Sequence, residues 1–153
     1  MNAESSFDFV LLFSRWLHLA AAIVAIGGAA FQYLAFTPGV GDLPGDVRDE
    51  LRAAVRRRWA PVVHVCIAVL LVTGGYNFVA LALPPKIEPM PYHAIFGLKF
   101  LAALGVFFVA SILVGRGQGF AKLRANPKRA LAAILLLGAI VVLISGILSQ
   151  VRT

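Results

Sequence analysis

Apolar positions fall into four long runs, residues 9–36, 60–83, 92–114 and 129–150, separated by short polar stretches. Each run supplies the ~20 residues that a helix needs to cross a hydrocarbon layer ~30 Å thick. At that depth the backbone must satisfy its own N–H and C=O groups, so the runs predict helices. Short connections between successive spans predict an all-α fold: one domain over residues 1–153, an integral membrane four-helix antiparallel bundle, up-down-up-down. Between 46 and 58 the pattern changes. Val47, Leu51, Ala54, Val55 and Trp59 recur at helical spacing opposite arginines, and Asp46 is a candidate N-cap. A separate amphipathic helix lying on the inner leaflet is expected there, with Pro61 opening the second span. Thr37-Pro38-Gly39 should end the first span. The stretch "LPPKIEPMPYH", with Pro84, Pro85, Pro89 and Pro91, reads as a stiff, extended outer loop. Gly27-Gly28, Gly74-Gly75, Gly97, Gly105, Gly138 and Gly146 are expected where helices approach closely.

Composition agrees with a lipid environment: 60% of the 153 residues are hydrophobic and 14% charged. The net charge of +7 would suit nucleic acid, but its distribution points to the bilayer as partner instead. Arg48, Arg52, Arg56, Arg57 and Arg58 lie between spans one and two, and Arg116, Lys122, Arg124, Lys128 and Arg129 between spans three and four. The other side carries Arg15, Lys86 and Arg152. By the positive-inside rule the basic loops are cytoplasmic and both termini lie outside a cell's inner (plasma) membrane. The leader "MNAESSFDF" is acidic rather than basic, so it is expected to stay on the mature chain. Cys66 is the single cysteine, which excludes an internal disulfide.

Polar side chains collect in the outer half: His18 in span one, Tyr76 and Asn77 in span two, His93 and Lys99 in span three, and Ser145, Ser149 and Gln150 in span four. Ionisable groups in a membrane mark candidate function. Ser14, His18, Ala21, Ala22, Ala25 and Ala29 share a helix face, as do Lys99, Ala102, Ala103, Val106 and Ala110. Each face has one polar group beside a strip of small residues, which suits either helix packing or a flat cofactor. No carboxylate lies inside a span to neutralise Lys99, so it must reach the headgroups, give up its proton or hold something. Haem b suits the pair: His18 as axial ligand, Lys99 as second ligand or substrate contact, and Arg15 on a propionate. Arg15 equally suits the headgroups, with Trp16 as an interfacial anchor. Met90 and His93 in "MPYH" offer a soft sulfur and an imidazole, a pair compatible with copper(I). His64 lies toward the cytoplasmic end, apart from the outer cluster, and Cys66 points elsewhere on the helix.

"WLHLAAAIVAIGGAAF", "LLVTGGYNF" and "YHAIFGLKFLAAL" resemble the membrane domain of the copper-resistance protein D (CopD) family and the related HemJ-type protoporphyrinogen oxidases. The likeness covers about residues 10 to 115. It implies that His18 and Lys99 correspond to the first-span histidine and third-span lysine involved in haem b binding in the HemJ type. "TGGYN" at 73–77 would match the turn of the copper-resistance domain, which is associated with copper uptake. Four functions follow as alternatives: a haem protein carrying electrons; a haem-dependent protoporphyrinogen oxidoreductase delivering electrons to quinone or another acceptor; a copper-handling protein using His18, His93 and Met90; or a subunit whose glycine-rich faces pack on a second copy or a larger membrane complex.

Overall fold

The computed structural model describes the backbone of residues 9–82, 89–115 and 118–151, and the side chains of 9–80, 94–115 and 119–148. The described residues are nearly all helical and contain no strand. Helix α1 (Phe9–Phe31) continues through a wide π turn at Gln32–Phe36 and a last turn at Thr37–Gly39. Helix α2 is Gly45–Ala82, α3 is Pro89–Val114 and α4 is Pro127–Val151. A 3-10 turn at Gln118–Phe120 and a single turn at Ala121–Ala125 join α3 to α4. Four segments are long and apolar enough to cross a membrane: Phe9–Gly39, Gly45–Ala80, Ala94–Val114 and Pro127–Leu148.

The antiparallel neighbours α1 and α2 pack closely, as do α3 and α4, while looser α2–α3 and α1–α4 contacts close the bundle. Chain neighbours are therefore neighbours in space, and α1 and α3 face each other across a diagonal. At the basic end Ala29, Leu131 and Ile134 are buried together against Tyr33, Val106 and Ala110. At the opposite end Ile144 and Leu148 pack on Ile95, Phe96 and Phe78, the last two stacked with centroids 4.3 Å apart. Large apolar side chains such as Phe13, Trp16, Leu19, Val72, Leu101 and Leu143 stay on the outside, where lipid rather than water would cover them.

Prolines mark the places where the helices depart from expectation. Residues 46–58 form no separate interfacial helix: α2 runs unbroken for 38 residues with Pro61 inside it. Pro61 removes one backbone rung, and it does so at the basic end, where the freed Arg57 carbonyl can reach water or headgroups. At about 57 Å, α2 is nearly twice the ~30 Å hydrocarbon thickness, so its arginine-bearing first third projects beyond the layer. Asp46 lies inside the first turn rather than capping it, and the Arg48 N–H donates to Pro44 O at 2.9 Å. Pro89 and Pro91 open α3 instead of extending the outer loop, because N–H groups of a first turn have no partner to lose. The rest of that loop, including Pro84 and Pro85, lies outside the described residues. Ahead of Pro38 the Thr37 N–H reaches back five residues to Gln32 O. That widened turn lets α1 pass Pro38, whose ring would crowd the Leu34 carbonyl in a regular α turn.

The glycines divide. A methyl at Gly28 would fall inside the Trp59 indole, while methyls at Gly74, Gly105 and Gly138 would meet His18, Leu137 and Ile26 at 3.2 to 3.3 Å. At Gly27, Gly75 and Gly97 a methyl would meet nothing within 4 Å among the described residues, so these three do not mark close helix approach.

Candidate functional site between the first two helices

His18 is half-buried on the face of α1 that meets α2. Opposite it, at the same level of the antiparallel pair, stands Thr73, with only 6% of its surface exposed. The Thr73 hydroxyl donates its single proton to Val69 O at 2.6 Å. It can therefore only accept from the imidazole, whose Nδ1 lies 2.8 Å away. In a neutral imidazole this arrangement puts the proton on Nδ1 and the lone pair on Nε2. Gly74 makes the approach possible, since a methyl there would come within 3.2 Å of His18 Cε1.

One turn farther out on each helix are Ser14 and Asn77. Ser14 Oγ and Asn77 Oδ1 are buried and have no hydrogen-bond partner among the described residues. Polar atoms left so in an apolar interior cost free energy unless a water or a guest meets them. Lys99 comes from α3, across the diagonal from α1. It is half-buried, and among the described residues no carboxylate pairs with it. The His18 imidazole, Ser14 and Asn77 thus share the faces along which α1 and α2 meet, and Lys99 is half-buried on α3.

The remaining predicted residues lie elsewhere. Arg15 is exposed on α1 next to Trp16, and Tyr76 is 38% exposed on α2. The side chains of Met90 and His93 lie outside the described residues. His64 is exposed nearer the basic end, with Nδ1 2.7 Å from Ala60 O on its own helix, apart from the cluster as expected. Buried Cys66 is a free thiol. Ala21 and Ala29 of the small-residue strip are buried, and Ala29 packs on Leu131 and Ile134, so that end of the strip is a packing surface.

Sequence reasoning placed Thr73 on the wrong side of the argument: it appeared only as part of a motif. The signal was present, because a threonine beside a glycine pair sits at the depth of His18 on the adjacent antiparallel helix. Among the described residues no group of three or more His, Cys, Asp or Glu could hold a metal ion. No family model matches the chain, and no curated protein or solved structure matches it either.

Proposed function

We propose that this integral membrane protein binds haem b through His18 and serves as an electron carrier. The observation that supports this is the His18–Thr73–Val69 relay, which leaves Nε2 with a directed lone pair. Histidines that ligate metals characteristically donate their other N–H to a fixed acceptor, and that partner sets ring orientation and basicity. A bare copper or zinc ion would want three or four protein ligands, and the described cluster has one imidazole. A metalloporphyrin brings four nitrogens of its own and asks the protein for one or two axial ligands, which fits this donor set.

When bound, the group supplies a one-electron iron couple. The chain does the rest. His18 presents Nε2 and Thr73 holds the ring. Ser14 and Asn77 offer hydrogen-bonding atoms to a polar edge or a water, and Lys99 adds positive charge from the opposite helix. Arg15, exposed toward the outer end, is available to a propionate carboxylate. The positive-inside rule puts the arginine-rich end in the cytoplasm of a cell with this protein in its plasma membrane.

The test is the absorption spectrum and metal content of detergent-purified protein after growth with a haem supply, for wild type, His18→Ala and Lys99→Ala. A Soret band that disappears with His18→Ala is the expected result. A colourless wild type that also fails to take up added hemin overturns the proposal. Equimolar copper without a porphyrin band would assign the protein to copper handling instead.

A further inference from the structure

A crevice lies at the other end of the molecule from His18. It has a volume of about 410 Å³, and residues from the basic ends of all four helices line it. Arg52 and Arg56 of α2 and Arg124 from the α3–α4 connection come into it, against the single carboxylate of Asp49. Asp49 also lies 3.7 Å from the Arg48 guanidinium, at the surface. Pro127, the first residue of the 25-residue helix α4, is part of the wall, so the positive end of that helix dipole adds to the same field. Phe36, brought round by the widened turn of α1, forms an apolar side together with Trp59 and Leu131. Arg57 and Arg58, on the same stretch of α2, are exposed and lie outside the crevice.

We propose that this crevice binds a phosphate group, the anionic unit shared by phospholipid headgroups and soluble phosphate. Guanidinium forks match phosphate oxygens geometrically, and basic pockets between membrane helices are recognised headgroup sites. The volume lies in the range of small-molecule sites, and the apolar wall suits a glycerol or acyl portion beside the phosphate. The site is independent of the haem reading: it shares no residue with the His18 cluster.

The full chain is placed in nanodiscs of phosphatidylcholine containing a minority of phosphatidylglycerol, and retained lipid is counted by native mass spectrometry. Wild type is expected to retain phosphatidylglycerol selectively, and R52Q/R56Q to retain about tenfold less, the scale of losing charge-assisted hydrogen bonds. R57Q/R58Q removes the same charge from outside the crevice and is expected to behave as wild type. Ala53→Phe fills the crevice while keeping every cation, and is expected to lose retention as R52Q/R56Q does. It decides the matter if the arginine variant fails to fold by circular dichroism. In a second arm, wild type in pure phosphatidylcholine discs is titrated with inorganic phosphate. Saturable binding that R52Q/R56Q lacks assigns the site to soluble phosphate, and lipid selectivity without it assigns the headgroup. The proposal is overturned if wild type shows neither, or if R57Q/R58Q loses as much as R52Q/R56Q.

Discussion

Thr73→Val is the sharpest probe of the outer site. Valine keeps the shape of threonine but removes the one atom that accepts from His18 Nδ1 at 2.8 Å. The same change removes the hydroxyl's donation to Val69 O, whose backbone partnership in α2 remains. A buried donor left unsatisfied costs about 1–3 kcal/mol in a protein interior. Between membrane helices polar contacts average ~0.6 and reach ~1.7 kcal/mol, because the unfolded state in lipid also finds partners. With Thr73 buried and His18 half-buried, a coupling of about 1 kcal/mol is expected. It is measured by a double-mutant cycle of Thr73→Val and His18→Ala, each unfolded reversibly by sodium dodecyl sulfate in mixed micelles and followed by far-ultraviolet circular dichroism. Nitrogen chemical shifts of labelled histidine give an independent readout, with Nδ1 protonated in wild type and a tautomer mixture in Thr73→Val. Additive stabilities together with unchanged nitrogen shifts would mean that the hydroxyl and the imidazole do not interact, and the tautomer argument would fail. In haem-loaded protein, loss of this supporting partner should weaken cofactor retention about 10–100-fold.

Adjacent glycines give a second contrast. Gly28→Ala puts a methyl into the Trp59 ring and should cost about 1–3 kcal/mol, largely recovered in Gly28→Ala/Trp59→Ala, whereas Gly27→Ala should be neutral or stabilising in the same unfolding assay. Asn77→Leu removes a buried acceptor that has no donor among the described residues, so the apoprotein should gain or keep stability, by up to about 1 kcal/mol, while haem retention falls. A large loss of apoprotein stability in that variant would show that Asn77 already has a structural partner. Among the described residues no carboxylate pairs with the Lys99 amine, so Lys99→Met likewise should leave the apoprotein no less stable, and in haem-loaded protein potentiometry should find the reduction potential lowered by loss of a positive charge on α3.

Four helices were legible because a membrane core makes hydrophobic run length nearly decisive, as Phe9–Gly39 and Pro127–Leu148 show. Proline was the misleading signal. Its local rule, that it breaks a helix, fails at Pro61, where an interfacial carbonyl has water in reach, and at Pro89, in a first turn with no rung to lose, whereas the first span does end at Thr37-Pro38-Gly39, after a turn widened to make room for Pro38. Glycine pairs were half legible. Consecutive residues point about 100° apart on a helix, so one member of Gly27-Gly28 meets α2 and the other opens outward, and composition alone cannot tell which. At the site, His18 and Lys99 were visible as costly groups in oil. Thr73 and the orphaned Ser14 became visible only once the α1–α2 register was known, because a hydroxyl in a membrane helix can always bond back to its own carbonyls.

The length of α2 has a consequence for how the protein sits in its bilayer. A rod much longer than the oil it crosses cannot find its height by matching hydrophobic thickness, so the arginines at 48–58 must set its draught. Thr73 lies about 22 Å along the same rod from Arg58 and grips His18 across the gap. The helix thus works as a ruler graduated from the charged surface, and the vertical position of the imidazole is measured off from a waterline most of a membrane away.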